Sequence, residues 1–119
     1  MIDYATAREV TVREFPGFKA KDFPLHESSS ANVAEITLSK PYPKSETEWA
    51  LNTVSTMIAY ILAGRVEFST EGEHVLLEAG DVIRIPANQA YSWNPKPEVT
   101  MLIFSTPAWT PEQHETVKR

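Results

Sequence analysis

The pattern of apolar and polar positions divides the chain from residue 33 onward into short runs that predict β-strands. The runs are Val33–Leu38, Thr56–Thr70, His74–Gly80, Asp81–Ala87, Gln89–Trp93 and Val99–Ser105. Turn-forming residues separate them at Glu71–Glu73, Ala79–Asp81, Pro86–Asn88 and Asn94–Pro97. Short strands at a spacing of about ten residues, with turns between them, are typical of a β-sandwich or a closed barrel.

Two of these runs, residues 57–63 and 99–104, are apolar at both odd and even positions. A strand with one face in water normally alternates, so these strands are expected to be covered on both faces. The N-terminal segment and a second subunit together are the favoured cover, and the pattern therefore predicts a homodimer.

The two ends of the chain differ from this central region. Residues 1–32 are irregular, with Glu9–Phe15 and Phe18–Phe23 as possible edge strands or covering loops. At the other end, Thr110–Gln113 combines a capping hydroxyl, a proline and a glutamine, which predicts a short helix. The chain is thus expected to be one domain of residues 1–119, with a covering segment 1–32, a barrel core 33–105 and a tail 106–119.

Composition and charge exclude several kinds of function. The 119 residues are 42% hydrophobic, include no cysteine and carry a net charge of −5. Without cysteine there is no disulfide, thiolate metal site or cysteine nucleophile. The basic residues are scattered singly, so no nucleic-acid surface is expected. No run approaches the roughly 18 apolar residues of a membrane span, and a cytoplasmic protein with no membrane contact is expected.

The stretch Gly80–Tyr91, GDVIRIPANQAY, resembles the second conserved motif of the cupin superfamily. That motif has a glycine, five residues, a proline, one residue, a glycine, two residues and a histidine. Gly80 and Pro86 match it, Asn88 replaces the second glycine, and Tyr91 replaces the histidine. Asparagine tolerates a left-handed turn, so the change at position 88 is mild.

A second piece, Tyr60–Gly64, looks like the end of the first cupin motif, and 15 residues separate Gly64 from Gly80. The resemblance covers residues 33–105. It implies an all-β double-stranded β-helix, or jelly-roll barrel, and a homodimer.

The resemblance also identifies the positions where this family holds its metal. Two histidines and a glutamate of the first motif and one histidine of the second correspond here to Leu51, Thr53, Met57 and Tyr91. These side chains are poor metal ligands. A register error of one residue would substitute Ala50 or Asn52, and no register supplies a histidine. We therefore expect no metal and no other cofactor.

The expected barrel interior is the candidate ligand site. Its predicted ligand-binding residues are Thr53, Met57, Ile61, Arg84, Tyr91 and Trp93, and Ala59 is expected beside them. A cavity with a few polar groups would bind a small molecule, although small barrels often fill their interiors with side chains. Arg84 would bind a ligand anion if it pointed inward, but the outward orientation is favoured.

Candidate acid–base groups are Glu35, Glu48 and Tyr91. Glu35 lies between Ala34 and Ile36 and would need pairing or protonation if it faced inward. Glu48, like the nearby Glu46, is expected to be a solvated loop residue. The three histidines, His26, His74 and His114, have no metal-ligand spacing, although the first and last lie on segments that could cover the barrel mouth. Trp109 is expected to plug the barrel or contact a second subunit.

The sequence leads to three functional hypotheses. The first is a metal-independent cupin that binds a sugar or another small polar metabolite. The second is an isomerase or lyase of the sugar-isomerase or ectoine-synthase type that uses acid–base residues. The third is a non-catalytic barrel that only contacts other proteins.

Overall fold

Nine β-strands form the part of the protein that the computed structural model describes, residues 2–25 and 30–119. All strand pairs are antiparallel. The predicted all-β class is confirmed. The strands are β1 (Thr11–Phe15), β2 (Phe18–Asp22), β3 (Asn32–Leu38), β4 (Glu48–Asn52), β5 (Thr56–Thr70), β6 (Glu73–Glu78), β7 (Val82–Ile85), β8 (Ser92–Thr106) and β9 (His114–Lys118).

The strands form a large curved sheet and a separate two-stranded ribbon. The large sheet has the order β1-β2-β3-β8-β5-β6, with β7 also paired to β5. The ribbon consists of β4 and β9. Isolated bridges between Tyr42 and Trp93 and between Ala50 and Tyr91 connect the chain around β4 to the start of β8. The result is the predicted jelly-roll barrel.

Strand β5 bends at Gly64, which allows one strand to serve two parts of the barrel. Its first half pairs with β7 and its second half pairs with β6, while β8 follows it along most of its length. Gly64 has a positive φ of 81°, and a Cβ there would overlap with the carbonyl oxygen of Glu98. Only glycine permits both the conformation and this close approach.

Alternation along the strands separates a buried inner face from an outer face. Met57, Ala59 and Ile61 of β5 are buried, whereas their neighbours Ile58 and Tyr60 are 40% and 42% exposed. The apolar residues at odd and even positions therefore lie on two different faces. Of these, only the inner face is fully covered by residues 2–25 and 30–119. The buried cluster comprises Ala20, Ile36, Leu38, Ala50, Met57, Ala59, Ile61, Val66, Phe68, Leu77, Ile85, Tyr91, Trp93, Val99 and Met101.

The structure corrects two local predictions and confirms two others. The predicted C-terminal helix is only a 3-10 turn, Pro111–Gln113, followed by β9. Pairing with β4 overrides the helical start signal, and Thr110 makes no side-chain cap. The predicted turn at Asn94–Pro97 lies inside β8, where Asn94 and Pro95 pair with β5 and a bulge follows between Pro95 and Val99. The two N-terminal pieces, expected as edge strands or covering loops, form β1 and β2; β1 is at the edge of the sheet and β2 lies between β1 and β3. Asn88 has the expected positive φ of 66°.

Within the described ranges, no helix is long and apolar enough to cross a membrane.

Candidate functional site

A cavity of about 540 Å³ lies inside the barrel and opens to the surface. It is bounded by the inner faces of β3, β5 and β8, by the β1–β2 turn, by the loop before β4 and by the segment before β9. Small-molecule sites typically have volumes of roughly 300–1,000 Å³, so the cavity has room for a metabolite. Its walls include Phe18, Ala34, Ile36, Leu38, Tyr42, Met57, Tyr91, Trp93, Met101, Ile103, Trp109 and His114.

Three of the six predicted ligand-binding residues line this cavity: Met57, Tyr91 and Trp93. The other three lie elsewhere. Thr53 donates its hydroxyl to the carbonyl oxygen of Gln113 at 3.2 Å. Ile61 is fully buried behind the cavity wall. Arg84 is exposed on the outer face opposite Ile58, the orientation that the sequence favoured.

The two glutamates considered as acid–base groups do not line the cavity. Glu35 lies on β3, between the cavity-lining residues Ala34 and Ile36, so alternation directs it to the outer face. There it pairs with Lys21 at 3.2 Å. Glu48 lies on β4, where its carbonyl accepts a hydrogen bond from Arg119. Of the three candidate acid–base groups, only Tyr91 lines the cavity.

One wall of the cavity is a cluster of aromatic rings. Tyr91 and Trp93 meet edge to face with their centroids 6.2 Å apart, and Phe68 packs against both rings. These rings are nearly fully buried. Edge and face contacts of this kind fix ring orientation. The wall therefore presents a rigid apolar surface suited to a flat ring of a ligand.

Burial raises the pKa of the Tyr91 phenol far above its usual value, and the nearby Tyr42 raises it further. Burial also raises the pKa of Tyr42, although Arg13 partly opposes the effect. Both phenols are therefore protonated at neutral pH and can donate hydrogen bonds into the cavity.

Tyr42 also forms a hydrogen-bonded pair with His114. The hydroxyl oxygen and Nε2 are 3.1 Å apart, and the two rings lie 5.8 Å apart between centroids. Burial lowers the pKa of His114, so the imidazole is neutral at neutral pH. A neutral imidazole beside a protonated phenol is an arrangement that can transfer protons.

The side chain of Gln113 holds the segment that places His114 at the cavity. Its Oε1 accepts hydrogen bonds from Asn52 at 3.0 Å and from Ser55 at 2.7 Å, and its Nε2 donates to the carbonyl oxygen of Ala108 at 3.0 Å. Asn52 and Ser55 are buried, so these bonds compensate for their desolvation. The network fixes the C-terminal segment against the turn between β4 and β5.

Charged groups lie on another part of the cavity wall. Arg13 donates to both carboxylate oxygens of Asp22, from Nε at 2.7 Å and from Nη2 at 3.1 Å. Its guanidinium carbon also lies 5.2 Å from the centroid of the Trp109 ring. Lys40 and Lys44 line the cavity and are exposed, which places them at its mouth.

The positions that correspond to metal ligands in the resemblance do not share one face. Strand β4 ends at Asn52 and β5 begins at Thr56, so residues 53–55 interrupt the expected alternation. Met57 and Tyr91 reach the cavity, but Leu51 and Thr53 do not. In the described ranges no three His, Asp or Glu side chains come together as a metal site. This donor set does not fit a metal. His26 lies outside the described residues.

Sequence reasoning missed Arg13, Phe18 and Tyr42, which all line the cavity. It placed His114 on a covering segment but gave it no partner. These residues lie on the N-terminal strands, in the loop after β3 and at the chain end. Tyr42 stands between two prolines, which indicates a loop and nothing about its contacts. Only long-range packing brings these residues together.

Comparison with known proteins identifies the type of fold. A family model described as "Cupin domain" matches residues 41–107, more than half of the 119 residues. No curated protein matches the chain closely enough to be counted as a relative.

Several solved structures share the architecture. A tyrosine-to-phenylalanine variant of Streptomyces PAC13 with uridine is 20% identical, has a TM-score of 0.82 and covers 99% of this chain and 93% of its own. PAC13 is described as a nucleoside dehydratase. KdgF from Halomonas sp. is 15% identical, with a TM-score of 0.72 and coverage of 94% and 99%. Ectoine synthase from P. lautus is 11% identical, with a TM-score of 0.70 and coverage of 89% and 80%. At these identities the similarity concerns the fold alone.

Proposed function

Because the chain belongs to the cupin family, we propose that it binds a small ring-bearing metabolite inside its barrel without a metal ion. The open cavity of about 540 Å³ is the single observation on which this proposal rests. A barrel filled by its own side chains would have no such space. A sugar or a nucleoside is the kind of ligand that we expect.

The composition of the walls supports this kind of ligand. Tyr91 and Trp93 offer an apolar ring surface, and the hydroxyls of Tyr42 and Tyr91 offer hydrogen-bond donors. Ligand sites usually combine a mostly apolar lining with a few polar groups that fix orientation. PAC13, a neighbour by fold, has been observed with uridine.

A thermal-shift and calorimetry series with uridine and simple sugars tests the proposal. A ligand that binds the folded chain raises its melting temperature with concentration. In Ala34→Phe a new ring would fill part of the cavity, because Ala34 lines it. Val33→Phe is the control, since position 33 lies next to it on the opposite face of β3. We expect stabilisation in the wild type and the control but not in Ala34→Phe.

Either of two results would count against binding. One is stabilisation that persists unchanged in Ala34→Phe, since the ligand would then bind outside the barrel. The other is a complete lack of stabilisation across the series, which would favour the protein-interaction barrel instead.

We also propose that the protein is a homodimer that pairs through an outer apolar patch, defined as Ile58, Tyr60, Leu62, Val82 and Phe104. Each of these side chains is at least 40% exposed. Strand pairing places Ile58 opposite Phe104 and Tyr60 opposite Val82, so they form one continuous surface. Such a patch in water is typical of an interaction surface.

Sedimentation velocity measures the dimer directly. Tyr60→Glu places a charge in the centre of the outer apolar patch and is expected to yield monomers, whereas Glu67→Gln, further along β5, is expected to leave the dimer intact. A wild-type chain that is monomeric at every concentration would refute the dimer.

A second candidate function is a metal-free lyase or isomerase, favoured by the Tyr42–His114 pair. A neutral His114 would remove a proton from a carbon next to a carbonyl group. A phenol would protonate the departing hydroxyl, so that water leaves and a carbon–carbon double bond forms. The nucleoside dehydratase among the fold neighbours supports this class of reaction.

Proton exchange in D₂O tests this candidate with β-hydroxy carbonyl sugars and nucleoside aldehydes. Wild-type protein should exchange the proton next to the carbonyl, and His114→Gln should lose about 10²-fold or more of that rate. Tyr60→Phe, on the outer face, should retain it. If wild type exchanges no faster than buffer, the proposed acid–base reaction is refuted.

A further inference from the structure

The charges at the cavity have the opposite sign to the charge of the whole chain. The chain carries a net charge of −5. Among the described residues that line the cavity, however, Arg13, Lys40 and Lys44 are cationic and only Asp22 is anionic. We propose that the cavity selects ring-bearing ligands that carry a carboxylate or phosphate group. This inference rests on the proposed binding function and specifies the class of ligand.

Asp22 does not cancel the attraction for an anion, because its charge is already compensated. Both of its carboxylate oxygens accept hydrogen bonds from the guanidinium of Arg13. Because Arg13 uses Nε and Nη2 for these two bonds, its Nη1 amino group does not contact Asp22. The planar guanidinium group matches the geometry of carboxylate and phosphate groups. Because the Arg13–Asp22 pair is neutral as a whole, Lys40 and Lys44 determine the sign of the net charge at the cavity mouth.

Lys40 is held in place by the β1–β2 turn. Gly17 in that turn has a positive φ of 77°, and a Cβ there would lie 2.6–2.8 Å from the Cβ, Cγ and Cδ atoms of Lys40. The absence of a side chain at Gly17 thus makes room for the lysine stem. The backbone N–H of Ser39 donates to the carbonyl oxygen of Gly17 at 3.0 Å and fixes this contact. A stem packed in this way loses less entropy when the ammonium group binds an anion.

The aromatic wall and the cationic mouth define one ligand. Its ring would lie against Trp93 and Tyr91, and its anionic group would reach Lys40, Lys44 and Arg13 at the open side. A neutral ligand would make only the ring contacts. Because charge-assisted hydrogen bonds are stronger than neutral ones, we expect about tenfold preference for the anion and about threefold loss for each lysine removed.

Pairs of probes that differ in charge but little in shape test the inference. Benzoate is compared with benzamide, and phenyl phosphate with the neutral phenyl sulfamate, by NMR titration of the indole N–H signals of Trp93 and Trp109. Each titration is made at about 50 mM and about 500 mM salt, since screening weakens charge interactions at the higher concentration. The carboxylate and phosphate arms show which anionic group fits better.

Three variants identify the source of any preference. Lys40→Met and Lys44→Met keep the stem and remove the charge. Lys96→Met is the matched control, because Lys96 is exposed on the bulge of β8 and does not line the cavity. We expect both cavity variants to weaken the binding of anions but not of neutral probes, and the control to change neither.

Two results would overturn the inference in distinguishable ways. If neutral probes bind as well as their anionic partners, or if the cavity variants behave like Lys96→Met, charge selection is refuted and the binding function stands. If no probe of either charge moves the indole signals, the cavity does not take ring-bearing molecules, and the proposed function falls together with the inference.

Discussion

Two isoleucine truncations determine whether the barrel interior is open or filled. Ile61 is fully buried and does not line the cavity, whereas Ile36 is 8% exposed and lines it. Substitution by alanine removes the same carbon atoms at both sites. At about 0.8 kcal/mol per buried methylene, the transfer contribution is about 2.4 kcal/mol in each case.

The void left behind differs between the two sites. Ile61→Ala opens a new space in closed packing, so its total cost should reach about 4 kcal/mol, within the range of roughly 2–5 kcal/mol for such truncations. Ile36→Ala only enlarges a space that already exists, so about 2 kcal/mol is expected. The predicted difference between the two variants is therefore about 2 kcal/mol.

Urea denaturation followed by circular dichroism measures both free energies of unfolding. All samples have the same protein concentration, because dimerisation would make stability depend on it. Leu38→Ala adds a third point, because this residue is 1% exposed and yet lines the cavity. If Ile36→Ala costs as much as Ile61→Ala to within about 0.5 kcal/mol, the interior is packed around Ile36 and the open cavity is refuted.

Three further predictions concern the C-terminal segment, a histidine and a glycine. Gln113→Ala leaves the buried amide of Asn52 without its acceptor, whereas Ser55 keeps the carbonyl oxygen of Pro107, so urea denaturation should show a loss of about 1–3 kcal/mol. Unchanged stability would contradict the proposal that Gln113 anchors the C-terminal segment. Because burial lowers the pKa of His114, the unfolded chain binds the proton more readily, and stability should fall as pH drops below 6.5. Between about pH 8 and about pH 5, the urea midpoint should fall less in His114→Gln than in the wild type. An identical dependence of the midpoint on pH in both proteins would show that His114 is not the group responsible. In Gly64→Ala the new Cβ meets backbone atoms at a position with positive φ, so the free energy of unfolding should fall by more than about 2 kcal/mol. Gly72→Ala also has a positive φ but open space around it, so a loss of about 1 kcal/mol is expected. Equal losses would show that close packing at the bend of β5 does not require Gly64.

Features that depend on neighbours in sequence could be predicted from the sequence. The turns at Gly72 and Gly80, and the left-handed Asn88, follow from local backbone preferences. Met57, Ala59 and Ile61 were expected on the inner face of β5, and all three are buried. The spacing from Gly64 to Gly80 carried the family resemblance, and residues 41–107 match the family model.

Features that depend on distant partners could not be predicted in this way. The tail after Thr110 has a helical start signal, yet it forms β9 because β4 offers an unpaired edge. The prolines of Asn94–Pro97 predict a turn, yet β8 continues through them, because Pro95 pairs with Val66 and a bulge between Pro95 and Val99 leaves Pro97 out of the register. In both cases pairing across the barrel outweighs the local preference.

The same distinction between local and long-range features applies to the candidate site. The sequence by itself determined the central strands and the main turns, because these depend on residue type and short spacing. The tertiary structure alone decided that the interior is open, that Glu35 faces outward, and that Tyr42 meets His114 across 72 positions of sequence. Contacts at that separation depend on how the whole sheet curves, and no local pattern of residues encodes that curvature.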